Sequence, residues 1–110
     1  MSELVMALTT LPGDFDATSL AQELVGSGLA ACVNVVPGVQ SVYTWQGVPH
    51  VDREQQLLIK TTSEHVDALW EFLQARHPYE VPEFLVIPVI DGSEDYLRWV
   101  EKSVGPNKES

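Results

Sequence analysis

The sequence predicts an α+β domain in which strands and helices follow the order β-α-β-β-α-β, with one further helix at the carboxyl end. Three observations predict it: four short apolar or β-branched segments, three segments with apolar residues at helical spacing, and Gly or Pro near most boundaries. This is the ferredoxin-like order, in which an antiparallel sheet carries both helices on one face. The strands are apolar enough that we expect the other face to meet a partner, which indicates self-assembly.

Length and composition fit one cytoplasmic domain with an acidic surface. We predict a single domain over residues 1–104 and a flexible tail over residues 105–110. Sixteen acidic residues against six basic ones give a net charge of −10, which disfavours nucleic acid and anionic membranes and attracts cations. The single cysteine, Cys32, suits the reducing cytoplasm. We recognise no signal peptide and no apolar run of about 20 residues, so no membrane association is expected.

The first strand and helix follow from an apolar run and a capping residue. Residues 4–9 form a continuous apolar run typical of a strand buried on both faces, and Leu11-Pro12-Gly13 ends it. Asp16 is the expected N-cap of a helix with apolar residues at helical spacing. Gly26 and Gly28 offer the stop of that helix.

A long hairpin is predicted in the middle of the chain. Residues 31–45 are rich in β-branched and aromatic residues, and Pro37-Gly38 should bend or bulge this strand. Residues 46–50 are a plausible loop, and residues 51–61 return as the third strand. Because this hairpin is long for so small a domain, we expect its outer half to reach beyond the body of one subunit.

Helix signals recur in the last part of the chain. Thr62 or Ser63 is the expected cap of a second helix, and Pro78 ends it. Residues 84–87 read as a fourth strand, with the following proline placing its end at an edge or terminus. Ser93 is the expected cap of a short third helix.

Few side chains are candidates for catalysis or for metal binding. Cys32 is predicted to lie mid-strand between apolar neighbours, where a buried and unreactive thiol is expected. No Cys-x-x-Cys and no His pair at helical spacing is present, so one chain offers no obvious preformed metal site. His50 is predicted in the hairpin loop and His65 in the first turn of the second helix, both solvated.

The segment from His77 to Glu83 is the most promising site. His77 is held between a helix end and Pro78, and Glu80 and Glu83 follow within a few residues. Two prolines stiffen this loop, which suits either a preorganised site or ordinary turn chemistry, and both interpretations stay open. Lys60, at the end of an apolar strand, is a candidate ion-pair partner of one of these carboxylates.

A series of motifs follows in consistent order along nearly the whole chain: Leu29–Asn34, Pro37-Gly38, Ser41–Gly47, Ile59–Thr62, His77–Glu83, Pro88-Val89, Gly92 and Tyr96–Val100. Together these motifs resemble the CutA family of divalent-cation tolerance proteins. The resemblance implies a ferredoxin-like subunit in a tight homotrimer, with the hairpin crossing between subunits. It also implies tolerance of divalent metals, copper above all, and no established enzymatic reaction. Some members carry further cysteines considered as metal ligands, whereas this chain has only Cys32.

We therefore interpret the chain as a cytoplasmic homotrimer that is not an enzyme and that binds a divalent cation, most favourably copper, weakly. Cys32 and His77 are the expected direct ligands, not necessarily of the same ion, and Glu80 and Glu83 are candidate oxygen ligands.

The alternative is a trimeric signalling or interaction module that binds a small anionic ligand at clefts between subunits. Tyr43, Trp45, Lys60 and Tyr79 would line such a cleft, together with the His77–Glu83 loop. Convergent His and carboxylate groups favour the metal, whereas an aromatic wall with one lysine favours the anion.

Overall fold

The computed structural model describes residues 3–105 and contains four strands and three α-helices within them. A short 3₁₀ helix, Ser63–His65, precedes the second α-helix. The elements are β1 (Leu4–Pro12), α1 (Ala17–Gly26), β2 (Cys32–Trp45), β3 (Val48–Thr62), α2 (Val66–Arg76), β4 (Leu85–Pro88) and α3 (Glu94–Ser103). The tail predicted over residues 105–110 lies, apart from Gly105, outside the described residues.

The strands form one antiparallel sheet in the order β2-β3-β1-β4, so the predicted α+β class and element order are confirmed. Helices α1 and α2 pack on one face of this sheet, which we call the helix face; the opposite side is the open face. The core between sheet and helices consists of Ala7, Leu11, Ala17, Leu20, Leu24, Ala30, Leu57, Ile59, Leu69 and Leu73.

Strand β1 is buried on one face in the subunit, and the prediction of burial on both faces was wrong in this respect. Val5, Ala7 and Leu11 point to the helices and are buried, whereas Met6 and Leu8 are half-buried on the open face. A continuous apolar run cannot distinguish these two cases, because the run reports hydrophobicity and not which face is covered.

Helix α1 begins and ends where the sequence predicted. The Oδ1 atom of Asp16 accepts the Ser19 backbone N–H at 3.1 Å, which satisfies one of the free donors of the first turn. Past the helix end, Gly28 has a φ of +80°, and its carbonyl accepts the Gly105 N–H at 2.9 Å. A Cβ at Gly28 would collide with the Gly105 carbonyl, so this position requires glycine.

The hairpin turn is shorter than the predicted loop over residues 46–50. Gln46 and Gly47 alone form it, with φ values of +52° and +79°, the combination of a two-residue type I′ turn. His50 therefore lies in β3 and not in a loop, opposite Tyr43 of β2. The register shift between Val36 and Val39 confirms the predicted bulge at Pro37-Gly38.

The outer half of the hairpin extends past the rest of the sheet. Strand β1 pairs with β3 only from Glu54 onward, so residues 48–53 of β3 have β2 as their one strand neighbour among residues 3–105. Val42, Val48 and Val51 are exposed there. The chain is accordingly elongated, 47 Å in its longest dimension, as the length of the hairpin predicted.

Helix starts in the last part of the chain differ from the predicted caps. Thr62 precedes the 3₁₀ turn, and its hydroxyl hydrogen-bonds to Nδ1 of the half-buried His65 at 2.7 Å and not to a helix N–H. Ser93 occupies the N-cap position of α3 but makes no side-chain capping bond. Strand β4 begins one residue later than predicted and lies at the sheet edge. Among residues 3–105, no helix has the length and apolar character to cross a membrane.

Candidate functional site

The bulge in β2 decides which side chains meet at the site. Between Val36 and Val39, β2 advances three residues while β3 advances two, from Gln56 to Glu54. The extra residue reverses the alternation of β2, because successive side chains of a strand point to opposite faces. After the bulge the odd-numbered residues of β2, including Tyr43 and Trp45, therefore share the open face with Glu54 and Thr10.

These side chains form one wall and the floor of a cleft of about 790 Å³. The other wall is the loop that leads from α2 to β4. The lining residues are Thr10, Ser41, Val42, Tyr43, Trp45, Glu54, Pro78, Tyr79, Glu80, Val81, Pro82 and Glu83. The structure thus brings together Tyr43, Trp45 and Tyr79 with Glu80 and Glu83, all of which the sequence singled out.

His77 fastens the start of the loop to β1. Its Nε2 atom lies 2.7 Å from the carbonyl oxygen of Thr10 and 3.3 Å from the hydroxyl of Thr9. Its Nδ1 atom accepts the backbone N–H of Tyr79 at 3.2 Å. Since the Thr10 carbonyl can only accept, the proton of neutral His77 belongs on Nε2. Both ring nitrogens are therefore engaged with the protein.

The environment of His77 favours its neutral form. Burial lowers the pKa of this imidazole below the ordinary 6.5, against the opposing effects of the Thr10 carbonyl and the Glu54 charge. The neutral ring matches its two contacts, because only the neutral ring can accept the Tyr79 N–H while donating to Thr10.

Glu54 anchors the middle of the loop and is 7% exposed. Its Oε2 atom accepts the hydroxyl of Tyr79 at 2.5 Å. Burial, followed by the hydrogen bond to Glu54, raises the pKa of Tyr79 well above its usual range, so this phenol remains protonated. Gln56 secures the far end by donating from Nε2 to Glu83 and to the Thr9 carbonyl, both at 3.0 Å.

A second tyrosine–carboxylate pair lies further out on the hairpin. The hydroxyl of Tyr43 donates to Oδ2 of Asp52, and this bond raises the pKa of Tyr43. The ring of His50 stacks on that of Tyr43, with 5.3 Å between ring centroids. His50 therefore supports one face of the aromatic wall, which corrects its predicted role as a free loop residue.

Cys32 and Lys60 lie at the other end of the open face. Cys32 is the first residue of β2 and half-buried, so its predicted position in mid-strand was wrong. It pairs with Lys60, which lies four residues, or roughly 13 Å, along β3 from Gln56. The Nζ atom of Lys60 donates to Oδ1 of Asn34 at 2.5 Å. Lys60 therefore does not line the cleft, and its predicted carboxylate partner is replaced by an amide.

The four predicted metal ligands do not form one cluster in the subunit. Within residues 3–105, no three His, Cys, Asp or Glu side chains stand close enough together to hold a metal ion. Glu80 and Glu83 line the cleft, His77 lies at its edge with both nitrogens engaged, and Cys32 is remote.

Sequence reasoning missed Glu54 and Gln56, the two β3 residues that hold the loop. A signal was present, since Asp52, Glu54 and Gln56 alternate with other residues and so place polar groups on one face of a strand. What the sequence does not reveal is that this polar stripe meets the His77–Glu83 loop across the sheet.

The fold and cleft define an α+β protein with a ferredoxin-like subunit and an aromatic, acidic cleft over its open sheet face. The model of the family described as "CutA1 divalent ion tolerance protein" matches residues 5–103. The chain belongs to this family, which confirms the resemblance seen in the motifs.

Individual relatives match over nearly the whole chain. The divalent-cation tolerance protein CutA of Yersinia pestis (strain Pestoides F) is 42% identical over 103 residues, covering 94% of this chain and 87% of the relative. The crystal structure of CutA1 from Oryza sativa has a TM-score of 0.90 at 38% identity, covering 99% of this chain and 97% of the other. A "PII-like protein CutA" from Nostoc sp. PCC 7120 has a TM-score of 0.85 at 33% identity, covering 93% and 98%.

Proposed function

We propose that the chain is a cytoplasmic divalent-cation tolerance protein that works as a homotrimer and binds divalent cations weakly, copper above all. One observation carries the proposal: Glu54, Glu80 and Glu83 line the same cleft, and no lysine or arginine among the described residues lines it. Carboxylate oxygens are ligands for divalent cations, and the net charge of −10 raises the local concentration of cations without selecting among them. The family description likewise names tolerance of divalent ions and no catalytic reaction.

The contacts within the loop account for weak binding. An ion that uses Nδ1 of His77 must displace the Tyr79 N–H, and one that uses Oε2 of Glu83 must displace the amide of Gln56. Each displaced hydrogen bond subtracts about 1 kcal/mol from the gain of coordination. Imidazole together with carboxylate suits Cu(II), and the Irving–Williams order places Cu(II) above Ni(II), Co(II) and Mn(II).

Cys32 enters the proposal as a separate ligand. A thiolate suits Cu(I), and Cys32 lies on the open face away from the cleft. A copper ion in the cleft is therefore not shared with Cys32 of the same subunit, and the thiol contributes only where a neighbouring subunit or a Cu(I) ion reaches it.

Calorimetric titration with Cu(II) tests the cleft as the metal site. We expect His77→Ala and Glu83→Gln each to weaken binding several-fold, and Cys32→Ser to bind as the wild type does. His50→Ala controls for adventitious binding by an imidazole outside the His77–Glu83 loop, and Glu71→Gln on the exposed surface of α2 controls for charge alone. Wild-type binding by both His77→Ala and Glu83→Gln would show that copper binds elsewhere.

The homotrimer is supported by apolar groups that the subunit leaves uncovered. Leu85 and Ile87 of the edge strand β4 are exposed, and so are Val42, Val48 and Val51 of the outer hairpin. Exposed apolar side chains in several strands favour cover by a partner, and an open strand edge can pair with another chain. Light scattering should give three times the 12.2 kDa subunit mass. Val51→Lys should lower that mass, and a wild-type monomer or dimer at micromolar concentration contradicts the proposal.

A trimeric small-ligand module is the second candidate, and the volume and aromatic wall of the cleft favour it. Clefts that bind small organic molecules typically measure about 300–1,000 Å³, a range that includes this cleft. An anionic ligand, however, meets no lysine or arginine among the described residues that line the cleft, because Lys60 contacts Asn34 at the other end of the sheet. Anion binding therefore depends on a basic group from a neighbouring subunit. Titration with citrate in the absence of metal tests this candidate.

A further inference from the structure

We propose that the cleft binds a small organic cation, of the alkylammonium or quaternary ammonium class, between its aromatic wall and its glutamates. The inference rests on the proposed function for the location of the site, but it assigns a different ligand chemistry to it. Neither a bound metal nor Cys32 takes part.

The aromatic wall presents open ring surfaces to the cleft. Tyr43 and Trp45 stand two residues apart beyond the bulge and so share one face of β2. Their side chains are 42% and 40% exposed. Tyr79 adds a third ring from the loop. Aromatic faces attract cations within about 6 Å of the ring centre, and several rings around one space are the usual means of holding a quaternary ammonium ion.

The charged side chains of the cleft favour a positively charged ligand. Glu54, Glu80 and Glu83 line it, and the described lining contains no lysine and no arginine. Glu54 is largely withdrawn from water, where a carboxylate interacts more strongly with a nearby cation than it does at an exposed position. These carboxylates repel an anion, and a neutral ligand gains no charge–charge attraction from them.

The size and stiffness of the cleft suit an organic ligand better than a single ion. A volume of about 790 Å³ far exceeds what one metal ion with its first ligands occupies. Within the described residues, no three potential metal ligands stand close enough together to hold an ion. The loop is held at three points, by His77 on Thr10, Tyr79 on Glu54 and Gln56 on Glu83. A preformed cleft spends little free energy on ordering when a ligand enters.

A pair of probes separates charge recognition from simple apolar burial. Choline carries a quaternary ammonium group, and dimethylbutanol is its neutral isostere, with carbon in place of nitrogen. Both are titrated calorimetrically into the oligomeric wild-type protein in phosphate buffer with EDTA, so that no amine buffer and no free metal competes. We expect choline to bind about tenfold more tightly than the alcohol, as expected for a cation against several aromatic faces and carboxylates.

Matched variants locate the binding. Trp45→Leu should weaken choline about five- to tenfold while leaving the alcohol within about twofold, because the loss is the cation–ring attraction. Glu83→Gln, which keeps the shape and removes the charge, should also weaken choline selectively. Trp99→Leu is the control, since Trp99 is similarly exposed, at 47%, and does not line the cleft. Light scattering on each variant verifies that the assembly is intact.

The inference is overturned if choline and the alcohol bind equally, if neither binds, or if Trp99→Leu affects choline as much as Trp45→Leu does. Its failure is distinguishable from that of the proposed function, because copper is titrated without choline and choline without metal. If choline binds and copper does not, only the metal proposal is contradicted. Copper binding with no choline binding sinks this inference alone.

Discussion

The two halves of strand β3 have similar residue types and opposite environments. In the inner half, Leu57 and Ile59 lie under the helices and are fully buried. In the outer half, Val48 and Val51 point away from any element of the same subunit and are exposed. The comparison teaches that β-branched and aliphatic residues specify a strand, whereas burial depends on how far β1 and the helices reach along it.

Polar groups show the same contrast. Two carboxylates of β3 each accept a tyrosine hydroxyl. Glu54, at the boundary between the halves, accepts from Tyr79 of the loop, and Asp52, further out, accepts from Tyr43 of β2. Only Glu54 is buried, while the outer pair lies exposed. The cleft lies where these two environments meet, so its floor at Glu54 is buried and its mouth is open to solvent.

The largest expected effect is the loss of a core side chain from the inner half. Ile59→Ala leaves a cavity between sheet and helices and should lower the free energy of unfolding by about 2–5 kcal/mol. The control is Val51→Ala in the outer half, expected to cost about 0.5 kcal/mol in a separate subunit because no cavity forms. Denaturant unfolding at two protein concentrations measures both.

Protein concentration sharpens this test. If copies of the chain cover the outer half, the cost of Val51→Ala grows with protein concentration, because association then contributes to stability. The cost of Ile59→Ala should change little. If Val51→Ala lowered the free energy of unfolding more than Ile59→Ala at every concentration, the outer hairpin and not the inner half would hold the main core.

Much of the fold was predictable because its signals are local. The Asp16 cap, the Pro37-Gly38 bulge and the succession of strands and helices along the chain each depend on residues close together in sequence. The turn at Gln46-Gly47 was predicted too long, since a non-glycine residue with positive φ is uncommon and Val48-Pro49 resembles loop sequence.

The site was predictable only in part, because its contacts join distant segments. The sequence singled out Tyr43, Trp45, Tyr79 and the loop glutamates because aromatic residues and stiff polar motifs stand out, and all of them line the cleft. The place of Lys60 was wrong, because a strand end near apolar residues does not reveal which cross-strand neighbour it meets. Glu54 was missed because its partner Tyr79 lies 25 residues away.

The second largest loss of stability is expected at His77, where α2 ends and the loop to β4 begins. His77→Ala removes the donor to Thr10 and the acceptor for Tyr79, and should cost about 2 kcal/mol, because partly buried backbone groups lose their partners. His77→Gln, which keeps a donor and an acceptor, should recover part of this loss. Chemical denaturation measures both variants, and equal stability of alanine variant and wild type would show that the loop is held without His77.

A smaller effect is expected from the charge of His77. Its folded pKa lies below the 6.5 of an unfolded histidine, so the unfolded chain binds the extra proton first. The stability that the neutral His77 ring contributes is fully present above about pH 6.5 and is lost as the pH falls through 6.5 toward the lowered pKa. The difference in stability between wild type and His77→Gln should therefore shrink between about pH 7.5 and pH 5.5. A constant difference would contradict the lowered pKa.

The smallest effect compares the two tyrosines directly. Tyr79→Phe removes the hydroxyl that Glu54 accepts and leaves a largely buried carboxylate oxygen without that donor, so we expect a loss of about 1 kcal/mol. Tyr43→Phe removes the same chemistry from the exposed pair with Asp52, where water replaces the hydroxyl, and should change stability by less than about 0.5 kcal/mol. Unfolding of both variants in one denaturant series gives the comparison. Equal losses would mean that the outer pair is as dry as the inner one, which in turn requires a neighbouring subunit to cover Tyr43 and Asp52.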